Sequence, residues 1–151
     1  MVVGFIGAGN MGGAYINALN KELYFYETNK ERIRELEENT LGKGVETLKE
    51  LVEKSDILVL AIKPEILDRV LDDLKELNIK DKVLVTLVVG VKIDYYQKKL
   101  GDIKIARVMP NTPVQVKMGV AGATFVGLNK EEKSEVLDML ESCGIVLDCD
   151  E

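Results

Sequence analysis

The chain has 151 residues, 46% hydrophobic and 30% charged, a balance that supports one buried core and argues against disorder. Its formal net charge of −6 argues against a general nucleic-acid surface, since phosphate backbones are gripped by clustered Lys and Arg. The absence of histidine excludes a Ser-His-Asp triad, a Cys-His pair and a histidine-based metal site, and no metal site is expected.

Val2 to Ile6 is a short apolar run rich in β-branched residues and ends in glycine, the pattern of a buried strand. Met11, Ala14, Tyr15, Ala18 and Leu19 then recur at helical spacing. Leu23 to Tyr26 predicts a second strand that stops at Glu27. Asn29 is placed to cap a helix running through Leu36, with Glu31 in its first turn and Ile33 and Leu36 on one face. A short strand is expected near Val45, followed by a helix marked by Leu48, Leu51 and Val52. "DILVLAI", 56 to 62, is apolar on both faces, as a central parallel strand must be. Pro64 suits the first turn of the next helix, whose inner face is read as Ile66, Leu67, Val70, Leu71 and Leu74.

"KVLVTLVVG" predicts a strand closing at Gly90, with a helix over Asp94 to Leu100. "IKIARVM" leads into "PNTPV", and "GVAGATFVG" reads as a further strand. Lys130 to Cys143 reads as a helix and Ile145 to Leu147 as a last strand. Strands alternate with helices through short loops, so the fold class is α/β: a doubly wound, mostly parallel Rossmann-type sheet with helices on both faces. The whole chain, 1–151, reads as one such domain, without repeats or linkers.

No apolar run reaches the roughly 20 residues that cross a bilayer, and no basic leader precedes the first strand. A cytoplasmic protein without membrane or nucleic-acid partners is therefore expected. Cys143 and Cys149 lie outside CxxC spacing and read as reduced, structural thiols.

The glycines at 7, 9 and 12 carry the first functional signal. They follow a strand and open a helix, the context in which a GxGxxG pattern cradles a dinucleotide. Gly7 permits the tight turn, Gly9 lets a pyrophosphate approach the backbone, and Gly12 lets the helix pack closely on the strand. Glu27, about 20 residues beyond Gly7, ends the second strand where a carboxylate can accept from an adenosine ribose. That favours NAD, whereas Asn29, Lys30 and Arg32 just after it can pair with the extra phosphate of NADP. Both cofactors stay open. The alternative for this stretch is a structural glycine turn beside a solvated glutamate.

Ligands of a doubly wound sheet bind outside the carboxyl ends of its strands, which gathers three later segments with the glycine loop. They are "AIKPE" (61 to 65), "VVGV" (88 to 91) and "VMPNTPV" (108 to 114). Lys63 taken alone is an exposed lysine at a strand end, and Gly90 a strand-ending turn. In "MPNTP", two prolines brace Asn111 and Thr112 in a stiff polar loop suited to positioning a ring and a small substrate.

"GFIGAGNMGGA", "LAIKPE", "LVVGV" and "RVMPNTPVQVKMGV" together resemble the pyrroline-5-carboxylate reductases, in the same order and over essentially the whole chain. The resemblance implies that Gly7, Ala8, Gly9, Asn10, Met11 and Gly12 hold the pyrophosphate of NADP or NAD. It implies that Ala61, Ile62, Lys63 and Pro64 line the nicotinamide side, continued by Val89 and Gly90. Val89 departs from the family's usual alanine. Asn111 and Thr112 would face the nicotinamide and the mouth of the substrate pocket, with Lys63 also near the substrate. The implied activity is reduction of a small cyclic imino acid to proline by hydride transfer, a step of proline biosynthesis. No catalytic residue is assigned, because a cyclic imine protonates readily and needs no strong acid.

The family also has a helical C-terminal domain that completes the substrate site and forms a homo-oligomer. This sequence ends at "LDCDE", so that domain is expected to be absent from this chain and the chain alone to turn over poorly. Two other readings fit the glycine loop: a β-hydroxyacid or prephenate-type dehydrogenase domain, and a stand-alone dinucleotide-sensing module. The former carries a glycine-rich segment where this chain has "MPNTP".

Overall fold

The computed structural model describes residues 1–110 and 118–151. Eight strands among them form one sheet: β1 (Val3–Ile6), β2 (Leu23–Tyr26), β3 (Gly42–Gly44), β4 (Ile57–Leu60), β5 (Val83–Thr86), β6 (Lys104–Met109), β7 (Gly119–Val126) and β8 (Gly144–Asp148). Their spatial order is β3-β2-β1-β4-β5-β6-β7-β8. Every pairing is parallel except β6 with β7, so the expected doubly wound, mostly parallel sheet is what forms.

Six α-helices cover both faces. α1 (Asn10–Ala18), α2 (Lys30–Asn39) and α6 (Lys130–Glu141) enclose one core, in which Tyr15, Ile16, Leu36, Val136 and Leu140 meet Phe5, Phe25, Val59 and Val85. α3 (Leu48–Lys54), α4 (Leu67–Lys75) and α5 (Ile93–Leu100) enclose the other, where Leu51, Leu71, Leu74 and Tyr96 meet Leu58, Leu60 and Leu84. β1, β4 and β5 are buried on both faces, which is why they read as continuous apolar runs. Asn29 caps α2 as its sequence predicts, its side chain accepting from the Glu31 and Arg32 N–H groups.

Several boundaries differ from the sequence expectation, each for a local reason. The short third strand is Gly42–Gly44, just before Val45, whose N–H still donates to the Phe25 carbonyl at 2.9 Å. β4 ends at Leu60, and β5 ends at Thr86 rather than near Gly90. The Thr86 hydroxyl bonds the Tyr96 hydroxyl at 2.6 Å and accepts the Val88 N–H at 3.2 Å, closing the strand in a turn. Pro64–Ile66 is a 3₁₀ turn ahead of α4, and this tighter turn shifts the helical phase. Leu67, Leu71 and Leu74 are therefore buried as expected, whereas Ile66 is 38% exposed and leaves the core stripe.

The Ser55 hydroxyl is buried without a hydrogen-bond partner and occupies the space where any side chain at Gly4 would have to go. Removing an unsatisfied hydroxyl is nearly neutral or stabilising. Ser55→Ala is accordingly expected to keep or raise the urea midpoint, with a change in stability within about 1 kcal/mol. A clear loss would mean that the hydroxyl has a native partner.

Among the described residues no helix is long and apolar enough to cross a membrane, and no group of three or more metal-ligating side chains gathers. Cys143 is buried, Cys149 is exposed, and neither is in a disulfide.

Candidate functional site

The register of the sheet sets the site. Ile6 is level with Tyr26 on one side and Leu60 on the other, so the chain leaves β1, β2 and β4 at one rim. The Gly7 N–H donates to the Tyr26 carbonyl and the Ala61 N–H to the Ile6 carbonyl, both at 2.9 Å. Gly7, Glu27 and Ala61 thereby become neighbours although they are far apart in sequence.

Gly7 turns the chain at φ +92°, and a Cβ there would lie 2.5 Å from the Ala61 carbonyl oxygen. Gly9, the N-cap of α1, is exposed, and a Cβ there would meet nothing within 4 Å. The space over its backbone is open, as the approach of a phosphate requires. Asn10 begins α1, so the first N–H groups of that helix face the same opening and favour an anion. Met11 packs against the core and Gly12 is buried under Ala61, where a Cβ would press to 3.0 Å from the Ala61 methyl.

Glu27 and Arg32 grip the glycine loop from the β2 side. One Glu27 oxygen accepts the Ala8 N–H at 3.0 Å, and the other accepts the Thr28 and Asn29 N–H groups at 2.9 Å each. Arg32 donates from Nε to the Ala8 carbonyl at 2.7 Å and from Nη2 to the Gly9 carbonyl at 3.2 Å. Its Nη1 pairs with Glu35 at 3.2 Å. The guanidinium passes where Gly13 lacks a side chain. Arg32 is thus bound to the loop backbone and to Glu35, which leaves Lys30 and Asn29 of the basic stretch that the sequence offers to an extra phosphate.

A cavity of about 630 Å³ adjoins the loop, lined by Gly7, Gly9, Glu27, Ala61, Ile62 and Lys63 among the residues named from sequence. It is also lined by Tyr26, Thr28, Leu48, Ile66, Arg69, Val70 and Asp73, which sequence reasoning missed. The only available signal was the Ile66, Arg69, Val70, Asp73 spacing at the start of α4, which matches a core-facing stripe equally well. Pro64 and Gly90 meet across a second cleft of about 320 Å³ with Asp68, Val91, Lys92 and Tyr95. Gly90 turns at φ +81° and Val89 is 78% exposed at the same rim. Asn111 and Thr112 lie outside the described residues.

This geometry can take a diphosphate at the helix opening, a hydroxyl at Glu27 and a flat, partly apolar ring in the cavity beyond. The arrangement defines the class: a Rossmann-type α/β domain whose glycine turn stands at the first βα junction. The chain belongs to the family described as NADP oxidoreductase, coenzyme F420-dependent, whose model matches residues 2–90. Among curated relatives it is 36% identical to a pyrroline-5-carboxylate reductase of Aquifex aeolicus, over 95% of this chain and 56% of that protein. Among solved structures it superposes on a pyrroline-5-carboxylate reductase of Coxiella burnetii with a TM-score of 0.92 at 25% identity. That match covers 99% of this chain and 58% of the other. The Plasmodium falciparum pyrroline carboxylate reductase solved with NADP bound gives a TM-score of 0.86 at 30% identity, covering 100% of this chain and 58% of the other. The chain spans about half the length of the curated relatives it matches.

Proposed function

We propose that this chain is the dinucleotide-binding domain of a cytoplasmic reductase that converts 1-pyrroline-5-carboxylate to L-proline with NAD(P)H. The observation that carries the reading is the joint placement of the glycine turn, Glu27 and Ala61–Lys63 around one cavity, in a chain whose relatives are pyrroline-5-carboxylate reductases. The residues fit the cofactor: Gly9 leaves open backbone where a pyrophosphate approaches, and Glu27 retains acceptor capacity for a ribose.

In this reading the loop from Gly7 to Gly12 holds the pyrophosphate, with Gly9 to Gly12 offering backbone N–H groups at the helix opening, while Gly7 is bonded to Tyr26 and Ala8 is fixed by Glu27 and Arg32. Ala61, Ile62, Lys63, Pro64, Val89 and Gly90 wall the nicotinamide side, and the substrate-side role is assigned to Asn111 and Thr112 from their motif alone. The bound cofactor supplies the hydride that reduces the imine carbon. The chain's own contribution is placement, because the imine is protonated without a strong acid and the gain comes from near-attack geometry. The substrate pocket is completed by a further domain that also joins subunits into a homo-oligomer. Relatives of which this chain spans little more than half support that part.

Calorimetric titration of the chain with NADH and with NADPH tests the first half. At least one should bind saturably in one-to-one stoichiometry, and binding of neither would overturn the reading. Imine reduction should be slight with the chain alone, and brisk turnover would refute the incomplete substrate pocket.

A further inference from the structure

Glu27 and Arg32 do more than border the glycine loop. Between them they hold both polar groups of one residue: Ala8 donates its N–H to Glu27 and accepts at its carbonyl from Arg32. Ala8 itself is fully buried, so the peptide groups on either side of it are fixed before any ligand arrives. Arg32 has all three nitrogens engaged, on the Ala8 carbonyl, the Gly9 carbonyl and the Glu35 carboxylate. It is not among the residues lining the cavity.

Glu27 does line it, and three N–H groups already occupy its carboxylate. A carboxylate offers about four lone-pair positions, so about one remains. A neutral ribose hydroxyl can donate to that position. A 2′-phosphate cannot, because it brings negative charge against a carboxylate and carries no donor. Arg32, the cation that holds the loop, would have to abandon the loop carbonyls to meet it. Across the cavity the charged groups are Lys63, Arg69 and Asp73, with Asp73 one helical turn from Arg69 on α4.

We infer that the clasp formed by Glu27, the Ala8 peptide groups and Arg32 makes this domain select NAD(H) over NADP(H), with Glu27 the discriminating residue and Arg32 a positioning residue for the loop. The inference rests on the dinucleotide reading above and narrows it. Discrimination works by a repulsive element as much as by an attractive one, since the fixed carboxylate disfavours the phosphorylated cofactor.

Nicotinamide fluorescence titrations of the purified chain with NADH and NADPH, which need no turnover, test it. NADH should bind about 30-fold or more tightly than NADPH at low salt. Glu27→Gln keeps size and part of the hydrogen bonding but removes the charge, and should shrink that ratio by about tenfold, mainly by improving NADPH. Arg32→Ala should weaken both cofactors together and leave the ratio unchanged. Thermal melts accompany each variant, and Arg32→Lys serves if Arg32→Ala fails to fold. Equal or tighter NADPH binding by the wild type overturns the inference while leaving the dinucleotide reading standing. So does a selective loss of NADPH binding in an Arg32 variant or in Arg69→Ala, which would make that arginine the phosphate receptor. Failure of both cofactors to bind overturns the reading beneath it.

Discussion

Gly9→Ala is expected to leave the fold intact and to abolish dinucleotide binding, while Gly7→Ala damages the fold itself. The two glycines stand two residues apart in one motif, yet their surroundings are opposite. Gly9 has φ −71°, outside the left-handed region, and nothing lies within 4 Å of a Cβ built on it. The added methyl meets only the space reserved for a ligand. Thermal stability should therefore change by less than about 1 kcal/mol, while affinity for NADH falls by about 100-fold or more. Gly7 has φ +92°, where a Cβ costs about 1–2 kcal/mol by itself. That Cβ would also lie 2.5 Å from the Ala61 carbonyl oxygen and 2.9 Å from the Ile62 side chain, pushing apart the ends of β1 and β4. A total loss of about 3 kcal/mol or more is expected from urea unfolding. Unimpaired NADH binding by Gly9→Ala would mean that the pyrophosphate does not cross this backbone, and the proposed function would fall with it.

The contrast also marks what a sequence can carry. The glycine turn, the Asn29 cap and the buried runs of β1, β4 and β5 were legible because each is a local constraint, written within a few consecutive residues. Ile66 was misplaced because a single 3₁₀ turn at Pro64–Ile66 changes the helical phase, and nothing in the apolar spacing reveals that. The far wall of the cavity, Ile66, Arg69 and Val70, was missed because the same spacing marks a core-facing stripe, and Val70 does pack against the core. Arg32 was open to a phosphate role because it follows β2 in a basic stretch. Its actual partners are carbonyls of residues 24 and 23 positions away, set by how α2 leans over the loop. Hydrogen bonds from a side chain to distant backbone leave no periodic trace. The identity of the reaction rests on motif order, which position and spacing alone do not translate into chemistry.

Glu132→Ala should cost about 2 kcal/mol, and the wild type should lose this contribution in acid. Glu132 lies on the first turn of α6 and is only 5% exposed. One carboxylate oxygen accepts the Asn129 N–H at 3.0 Å, and the Asn129 side chain accepts the Glu132 N–H at 2.8 Å, a complete capping box. The other oxygen pairs with Lys104 on β6 at 2.7 Å, tying the helix to the sheet beside the antiparallel β6–β7 junction. Burial pushes the carboxyl pKa up, but the Asn129 N–H and the Lys104 ammonium outweigh it and hold the group below the ordinary glutamate range. A folded pKa below the unfolded value, about 4.3, means stability that is complete above that value and lost as pH falls through the folded one. Glu132→Gln can keep part of the cap but has no charge to titrate. Its urea midpoint should therefore fall less steeply than the wild type's below about pH 4. Lys104 is about one-third exposed, so in Glu132→Ala it regains water and the cost stays nearer 2 than 5 kcal/mol. Glu151, held low by the Ile93 N–H and Arg107 against the effect of its own burial, titrates with the same sign. The difference between the two acid curves, not either curve alone, isolates Glu132. Parallel curves would show that the Lys104 pair contributes nothing to the charge dependence of folding, leaving the cap as the whole of its effect.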